Sequence, residues 1–432
     1  MMNMKPSGVQ WIGDIPSEWK LGKVKNRFYS TKTIVGDMAD DYERLALTLG
    51  GVIKRSKEAN DGLQPEKFDG YQILKENEIV FKLIDLANVA TSRVGLSPYT
   101  GIVSPAYIVL HDRQNSCPRY AEYYFLSMWM HEVFNHLGGD GVRSSINAKD
   151  LLNVPFPLIS ETEQKAIADY LDNRCSKIDE IIAEATASIE EYKELKQAVI
   201  DNAIMYGLNP DRNVIQSDIE WIHTVPDGWR KIKLGWICSF HNGDRSNRYP
   251  SGDDFVNDGI PFAGADSLNG IFVDTQKCRF IRREHYEKLS GLKIRKNDIL
   301  YTLRGSTIGK CAITDFDNGT VASSLTGIRV ERVDDVNPMF LLYWLQSICE
   351  YNQRTVLING STAPNLSAEN VCQYKMFLPS LHEQDEIVKY LNRVIKKYDD
   401  VIKEKQETAQ LLIQYKKSLI YEVVTGKKRV II

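Results

Sequence analysis

The chain has 432 residues, of which 43% are hydrophobic and 26% charged, and its mean hydropathy is −0.32. This composition is typical of folded domains and the length allows two or more of them, whereas no apolar run approaches the ~18 residues of a membrane-spanning helix. The formal net charge is −3, so the chain lacks the basic excess of a general nucleic-acid binder, and any contact with DNA must come from local patches or from partners.

The N-terminus and the cysteines both indicate a reducing compartment. The first residues lack the apolar run of a signal peptide. The seven cysteines are odd in number and scattered, without a Cys-x-x-Cys pair, which argues against a disulfide framework and against a zinc site. We therefore expect a cytoplasmic protein whose thiols are small buried hydrophobes.

The first two of four blocks are a mixed block and a long helix. Residues 1–158 should contain strands at 78–81 and 106–110 and a helix near 120–131. Residues 159–207 should form one helix, because no Pro or Gly interrupts them before Gly207. Apolar side chains recur there at spacings of 3, 4 and 7, the pattern of a coiled-coil seam: Ile167, Leu171, Ile178, Ile181, Ala185, Tyr192, Leu195 and Val199.

The third block, residues 208–380, repeats the mixed pattern of the first. We expect strands at residues 298–301 and 326–330 and a helix at residues 338–347. The order of strands and helix along this block is the same as in the first block. The two mixed blocks are therefore predicted to be two related domains.

The fourth block, residues 381–427, repeats the long helix, which should run from 383 to 425 and end at Gly426. Its predicted seam is Ile387, Leu391, Val394, Tyr398, Val401, Leu412, Tyr415 and Leu419. Two helices of matched length with one apolar stripe each should pack on each other, although each could instead pack on its own domain. The predicted fold class is α+β: two mixed α/β domains separated by two long helices that form an antiparallel coiled coil.

Two sequence echoes support this duplication. Residues 11–19 and 221–229 share a Trp-Ile start, a Pro and a final Trp, at a shift of 210 positions. Glu163-Gln164 and Glu383-Gln384, at the start of each long helix, are related by a shift of 220. The Trp residues are predicted to staple the N-terminal arm of each domain, with stacking on DNA bases as the alternative. Two similar domains at a fixed separation suit a protein that measures a distance along its partner.

The most polar segment follows the strand predicted at 298–301 and reads Leu303-Arg304-Gly305-Ser306-Thr307-Ile308-Gly309-Lys310. It resembles a phosphate loop, but three residues rather than four separate its glycines, and Cys311 stands where Ser or Thr should bind magnesium. We favour a glycine-bent loop that faces a polyanion, because Arg can fork onto guanine and hydroxyls can bond phosphates or base edges. An ordinary exposed turn is the alternative. The predicted contacts are Arg304, Ser306, Thr307 and Lys310.

Two glycine-led loops of similar chemistry precede the long helices, at residues 138–147 and 359–367. Their short hydroxyl and amide side chains and their exposed backbone suit close approach to a sugar-phosphate backbone, although a solvated loop is the competing interpretation. A basic stretch at residues 279–296 could supply further phosphate contacts or could be a solvated face.

Enzymatic signatures are missing from the sequence. It contains no Asn/Asp-Pro-Pro-Tyr/Phe tetrapeptide of amino-methyltransferases, no glycine fingerprint of a dinucleotide or methyl-donor site, and no His-x-His or His-x-x-x-His metal spacing. A catalytic site that the sequence does not reveal stays possible, as does a coiled-coil scaffold that reads no sequence.

Taken together, these segments resemble the specificity subunits of type I restriction–modification systems, over almost the whole chain. The resemblance rests on the duplicated arms, on the Pro-x-x-x-Glu-Gln start of the second long helix (Pro379 to Gln384) and on the Val424-Thr425-Gly426 end. The first long helix has the same start with a two-residue insertion (Pro157 to Gln164). The resemblance also rests on three segments of the third block: residues 297–310, 322–325 and 360–367.

The resemblance implies two target-recognition domains, residues 1–158 and 208–380, each reading one half of an asymmetric, interrupted DNA site. The long helices, residues 159–207 and 381–427, would be the spacer and the dock for two modification subunits, and restriction subunits would join them. Methyl transfer, ATP hydrolysis and cleavage, with S-adenosylmethionine, ATP and magnesium, would belong to those partners. The chain itself is expected to be non-catalytic and to hold no cofactor and no metal.

The resemblance also extends the predicted DNA contacts. In the second domain it adds Ser324, Thr362 and Asn365 to the loop residues. The first domain lacks the Gly-Ser-Thr-Ile-Gly-Lys loop, and its corresponding stretch begins at Phe81. Its predicted contacts are Lys82, Ser92, Arg93, Arg143 and Ser144. Because the domains differ, the two half-sites should differ.

Overall fold

The computed structural model describes residues 3–58, 65, 67–84, 86, 93–113, 116–137, 145–219, 221–358 and 365–430. The chain divides into two compact units. The first unit consists of residues 1–186 and 406–432, and the second unit of residues 187–405.

The first unit contains twelve described strands, most of them short because turns interrupt the apolar segments. They are β1 (Met4–Pro6), β2 (Asp14–Pro16), β3 (Leu21–Lys23), β4 (Phe28–Tyr29), β5 (Leu45–Thr48), β6 (Gly51–Lys54), β7 (Gln72–Leu74), β8 (Ile79–Phe81), β9 (Val94–Leu96), β10 (Gly101–Val103), β11 (Ile108–Asp112) and β12 (Pro155–Pro157).

A four-stranded antiparallel sheet in the order β4-β11-β8-β9 organises this unit. Its central strand β8 is buried on both faces because Ile79, Val80 and Phe81 are all apolar. Successive strand side chains point to opposite faces, so Ile79 and Phe81 enter one core and Val80 enters a second. The pairs β1-β2, β3-β12, β5-β6 and β7-β10 complete the described strands.

Three short helices and one long helix follow in the chain. They are α1 (Pro118–Met130), α2 (Val133–Leu137), α3 (Ala148–Asn153) and α4 (Glu161–Tyr206). Pro118 occupies the first turn of α1, where its missing N–H costs nothing. Asn147 caps α3 by accepting a hydrogen bond from the Asp150 N–H at 3.0 Å.

The second unit also contains twelve described strands. They are β13 (Val214–Ile219), β14 (Ile222–Pro226), β15 (Arg230–Lys233), β16 (Cys238–Asn242), β17 (Phe255–Val256), β18 (Ile260–Ala263), β19 (Arg279–Ile281), β20 (Ile299–Thr302), β21 (Cys311–Ile313), β22 (Thr320–Val321), β23 (Leu325–Val330) and β24 (Lys375–Leu378). The helices are α5 (Arg283–Lys288), α6 (Pro338–Leu345), α7 (Ile348–Leu357), α8 (Ala368–Cys372) and α9 (Leu381–Val424).

The main sheet of the second unit has the same topology as that of the first. Its order β16-β23-β20-β21 is antiparallel throughout and corresponds strand by strand to β4-β11-β8-β9. In β20, Ile299 and Tyr301 enter one core and Leu300 enters another. A second four-stranded sheet, β17-β19-β18-β22, and the pairs β13-β14 and β15-β24 complete the described strands.

The long helices α4 and α9 pack together. The first unit contains the N-terminal half of α4 with the C-terminal half of α9, and the second unit contains the other two halves, which is antiparallel pairing. Lys416 Nζ lies 2.7 Å from Asp179 Oδ2 in the first unit, and Lys196 Nζ lies 2.5 Å from Asp399 Oδ1 in the second. Both pairs are 17 residues apart along either helix, so the alignment of α4 with α9 is the same at both.

The seam follows one heptad pattern in both helices and repeats at a shift of 220 residues. Every seam residue is buried or half-buried: Gln164, Ala168, Leu171, Cys175, Ile178, Ile182, Ala185, Ile189, Tyr192, Lys196, Val199 and Ala203 in α4, and Gln384, Val388, Leu391, Ile395, Tyr398, Ile402, Lys405, Ala409, Leu412, Lys416, Leu419 and Val423 in α9. The predicted seam was partly wrong, because Ile181, Leu195 and Tyr415 are 45–51% exposed. Neighbouring rows of a helix have similar apolar spacings, so the spacing alone does not show which row is buried at these positions.

Each long helix is joined to its unit by the duplicated Trp and Glu-Gln segments. Trp19 Nε1 donates to Glu163 at 2.9 Å, and Trp229 Nε1 donates to Glu383 at 3.2 Å. This confirms the predicted staple role of the second Trp in each arm.

The glutamines of these joints are fully buried, and their side chains bond backbone atoms of the described residues. Gln164 accepts from the Cys117 N–H at 2.8 Å and donates to the Ile159 carbonyl at 3.1 Å. Gln384 accepts from the Asn337 N–H and donates to the carbonyls of Asp335 and Pro379.

Candidate DNA interface

Those predicted DNA-contacting residues of the second unit that the structure describes lie at one end of its main sheet. The chain leaves β20 after Thr302 and enters β23 at Leu325, and these two residues pair with each other. Asn242, the last residue of β16, pairs with Thr326. The segments that follow β20, precede β23 and follow β16 therefore emerge side by side, and we call this edge the loop end of the sheet.

Two segments far apart in sequence meet at this end around Arg304. The Arg304 Nε donates to Asn365 Oδ1 at 3.1 Å, and the two residues also form an isolated antiparallel bridge. Immediately before Arg304, the Leu303 N–H donates to the Ser324 carbonyl at 2.8 Å. The structure thus brings Arg304, Ser324 and Asn365 together, as the sequence could not show.

The loop after Arg304 is a tight, glycine-dependent turn. Gly305 and Gly309 have φ angles of +88° and +86°, which L side chains rarely adopt. Ser306 is exposed, Thr307 is half-buried, and Lys310 Nζ donates to Asn269 Oδ1 at 2.5 Å. A strand, β21, follows at once, so the loop lacks the helix N-terminus on which phosphate loops rely. This geometry disfavours the nucleotide-binding alternative.

A buried charged cluster beneath the loop was not predicted from the sequence. Arg354 Nε donates to the two carboxylate oxygens of Glu350 at 3.1 and 3.2 Å, and Tyr301 and Tyr374 donate to Glu350 as well. Burial raises the pKa of Tyr301 well above its ordinary value of 10, so its hydroxyl keeps its proton. A Cβ atom built on Gly309 would lie 2.4 Å from Arg354 Nε. Arg354 therefore fills the space under the turn.

The first unit has an equivalent loop end with different chemistry. Ile84 and Ser145 form the isolated antiparallel bridge that Arg304 and Asn365 form in the second unit. The Ile146 N–H donates to the Leu83 carbonyl at 3.0 Å, just as the Leu366 N–H donates to the Leu303 carbonyl at 2.9 Å. The position of Arg304 is therefore taken by an apolar side chain that is 39% exposed.

Two of the DNA contacts predicted for the first domain, Lys82 and Arg93, lie within the described residues, and they differ in exposure. Lys82 is half-buried at the loop end. Arg93 is only 2% exposed, and its guanidinium donates to the Ile84 carbonyl at 3.1 Å and the Lys82 carbonyl at 3.4 Å. This favours a structural role for Arg93, because the side chain offers almost no surface to a partner. Outside the described residues lie the predicted contacts Ser92, Arg143, Ser144 and Thr362.

The basic stretch at residues 279–296 is partly engaged within its own unit. The guanidinium of Arg279 lies 3.9 Å from the centre of the Phe255 ring, and Lys293 Nζ lies 3.7 Å from that of Tyr286. These cation–π contacts use part of the charge internally. Arg282 and Arg295 are exposed.

In the described part of the chain, no group of three or more His, Cys, Asp or Glu side chains is arranged to hold a metal ion. Among the same residues, no helix is both long and apolar enough to cross a bilayer.

A family model described as the type I restriction modification DNA specificity domain matches the chain twice, at residues 44–191 and 226–411. The chain belongs to this family of type I specificity subunits. The first match covers three of the four strands of the first main sheet, the second covers all four of the other, and each includes a large part of a long helix, so the chain has two DNA specificity domains. A scaffold without sequence reading and a single-chain modifying enzyme are not favoured.

Curated relatives agree with this assignment. The MjaVIII specificity subunit of Methanocaldococcus jannaschii is 24% identical over 364 residues, which cover 83% of this chain and 80% of the relative. The EcoBI specificity subunit of Escherichia coli is 27% identical over 290 residues, which cover 65% of this chain and 60% of that subunit.

Solved structures share the fold. A chain from work on complex assembly and conformational transition of the type I R-M system matches with a TM-score of 0.70 and 15% identity, covering 96% of this chain and 99% of that one. The HsdS subunit from Thermoanaerobacter tengcongensis matches with a TM-score of 0.50 and 15% identity, covering 96% and 98%. At this identity the likeness concerns the fold alone.

Proposed function

We propose that each DNA specificity domain of this subunit reads one half of an asymmetric two-part DNA site through the loop end of its main sheet. The observation that carries the proposal is the exchange of side chains at equivalent positions, Arg304 and Asn365 in one domain against Ile84 and Ser145 in the other. Arg forks onto guanine, whereas an apolar side chain suits the methyl group of thymine. Two domains of one topology would thus read different bases.

The paired helices act as the spacer between the two half-sites and as the dock for two modification subunits, and restriction subunits complete the complex. Methyl transfer, ATP-driven translocation and cleavage belong to those partners, which use S-adenosylmethionine, ATP and magnesium in the cytoplasm. Family membership supports this division of labour, as does the lack of the methyltransferase tetrapeptide in the sequence.

The reading role is tested by mapping methylated bases in a host that expresses the subunit with its modification partners. Arg304→Ala should cost about 1–3 kcal/mol at one base pair if the guanidinium makes a bidentate base contact. The half-site read by the second domain should then accept other bases at that position, while the half-site read by the first domain keeps its specificity. Ile84→Ala is the matched variant and should affect only the first half-site. Equal weakening on all sequences would demote Arg304 to a phosphate contact and remove its reading role.

The spacer role is tested by shortening both helices by one heptad. Deletion of residues 182–188 and 407–413 preserves the heptad pattern and leaves the two Lys–Asp pairs ten positions apart on each helix. Seven residues of helix span ~10 Å, which is about three base pairs at ~3.4 Å each. The unread gap should shorten by about that amount with both half-sites unchanged. A gap of the original length would refute the spacer role.

A further inference from the structure

An exposed basic segment lies at the loop end of the second unit. It begins two residues after the end of β16, beyond Gly243 and Asp244, and reads Arg245-Ser246-Asn247-Arg248, with all four residues exposed. Arg245 donates weakly to the Ser323 carbonyl at 3.4 Å. Ser323 neighbours Ser324, which bonds the backbone of the Arg304 loop. This basic segment therefore stands beside the predicted base-contacting residues.

The segment is held in place by a buried carboxylate, Asp244, which is 3% exposed. Its Oδ1 accepts from the Ser246 N–H at 2.7 Å, and its Oδ2 accepts from the Ser290 N–H and hydroxyl at 2.7 and 2.9 Å. Burial alone would raise the pKa of Asp244, but these hydrogen bonds outweigh it and hold the pKa well below its ordinary value. The carboxylate is therefore ionised and fixes the turn that presents Arg245.

Backbone crowding tightens the same turn. A Cβ on Gly243 would lie 2.4 Å from the Ala322 carbonyl oxygen, and one on Gly291 would lie 2.4 Å from the Asp244 nitrogen. Only glycine permits such close backbone approach at both positions. The direction in which the chain leaves β16 is thus determined by packing.

The lateral distance from the Arg304 loop matches the geometry of a DNA groove. β16 is the edge strand and lies two strands from β20, which is ~10 Å at the usual spacing of ~4.8 Å. The major groove is ~12 Å wide. A sheet end that places Arg304 at the base edges therefore places the Arg245 segment at the wall of the groove, where the phosphates are.

An open groove provides room for the strand beside this segment. It has a volume of about 580 Å³ and is lined by Arg245, Lys293, Arg295 and Arg329, among others. Arg329 is paired with the buried Asp298 at 2.6 Å, and Lys293 contacts the Tyr286 ring. Exposed Arg245 and Arg295 thus remain the cations best placed to meet a phosphodiester chain along the groove.

We propose that Arg245 binds a phosphate of the DNA backbone flanking the bases contacted by the Arg304 loop, and that Asp244 is the positioning residue for this contact. The inference rests on the proposed function, since it assumes that the loop end of the second unit faces DNA. It adds to that function a sequence-independent anchor that sets how the second domain sits on its half-site.

The test measures affinity against salt for the complex reconstituted with modification subunits. The probe is a labelled duplex carrying the two-part site found by methylation mapping. Each phosphate contact contributes ~0.9 to the slope of log K against log salt, or about a 3.5-fold change between 50 and 200 mM. Arg245→Gln should reduce the slope by that amount with base preference unchanged, and Arg245→Lys should retain the slope, because Lys binds phosphate as a point charge.

The matched control is Arg332→Gln, which removes the same charge at the opposite end of β23, beyond Val330. Its slope should equal that of the unaltered complex. If Arg245→Gln and Arg332→Gln behave alike, the Arg245 assignment is overturned. If Arg245→Gln relaxes one base position, Arg245 is a base contact and the phosphate assignment fails. Arg304→Ala distinguishes a failure of this inference from a failure of the proposed function. If Arg304→Ala relaxes the half-site read by the second domain while Arg245→Gln leaves the salt slope unchanged, only the Arg245 inference is refuted.

The role of Asp244 needs its own variants, since Asp244→Ala removes three hydrogen bonds to a buried group. Ser290→Ala is the milder change and removes only the hydroxyl donor. Both should reduce the salt slope although Arg245 is still present, and thermal unfolding of the complex checks that the domain is folded. An unaltered slope in a folded Asp244→Ala complex would refute the positioning role.

Discussion

The two glycines of the Arg304 loop allow a sharp test of its packing. Gly305 and Gly309 have nearly the same positive φ, so an alanine at either position carries the same conformational cost of roughly 1–2 kcal/mol. Their surroundings differ. Among the described residues, a Cβ on Gly305 meets no atom within 4 Å, whereas a Cβ on Gly309 would lie 2.4 Å from Arg354 Nε and 2.6 Å from its Cζ.

The additional cost at Gly309 follows from what Arg354 must give up. To admit the methyl group, the guanidinium has to move away from Glu350, whose side chain is 3% exposed. Hydrogen bonds to charged groups contribute about 1.5–3 kcal/mol. Gly309→Ala should therefore be less stable than Gly305→Ala by about 1.5–3 kcal/mol, or roughly 3–12 °C in Tm for a domain of this size.

The assay is thermal unfolding of the two alanine variants under identical conditions, followed by a double-mutant cycle with Arg354→Ala. Without the guanidinium, the excess cost of Gly309→Ala should disappear. Equal Tm values for the two glycine variants would refute the reasoning, as would an excess that persists in the Arg354→Ala background.

Two further predictions concern stability. Gln384→Ala should destabilise the chain by about 2 kcal/mol in urea unfolding, because it leaves the half-buried N–H of Asn337 and two carbonyls without their hydrogen bonds to the glutamine. The exposed Gln197→Ala is the control and should cost less than about 1 kcal/mol. Glu78 and His111 lie 2.6 Å apart. Their hydrogen bond raises the pKa of His111. Burial alone would raise the pKa of Glu78, but the hydrogen bond to His111 outweighs it, so the pKa of Glu78 is lowered. The Glu78–His111 pair therefore stabilises the fold fully only between pH 4.5 and pH 6.5, the ordinary pKa values of Glu and His. The stabilisation is lost as pH rises through the raised pKa of His111, and also as pH falls through the lowered pKa of Glu78. His111→Gln should thus lower Tm more at pH 5.5 than at pH 8.5, and an equal loss at both would contradict the pairing.

The long helices were the part of the fold that the sequence predicted best. Periodicity over forty residues and clear stop signals placed α4 and α9 within about two residues of their observed ends. The seam was harder, because Cys175 and Lys196 belong to it while the more apolar Leu195 does not. A lysine inside a seam is accommodated by its ion pair with Asp399, which no single-helix pattern reveals.

The candidate site was predictable as chemistry but not as an arrangement. The glycine-bent loop and its polar residues stood out in the sequence. The contact of Arg304 with Asn365, across 61 residues, depends on the strand order. Arg354 and Glu350 gave no local signal, because their effect on the loop comes from packing beneath it. The basic segment at Arg245 was missed because its importance lies in emerging beside the Arg304 loop.

The joints at Gln164 and Gln384 have an evolutionary consequence. Both glutamines grip main-chain N–H and C=O groups, which every non-proline residue supplies whatever its side chain. A domain of different composition can therefore keep either joint, provided that its main chain follows the same path and that it retains the Trp that bonds Glu163 or Glu383. Replacement of one DNA specificity domain by recombination would then change the DNA preference while the long helices stay the same.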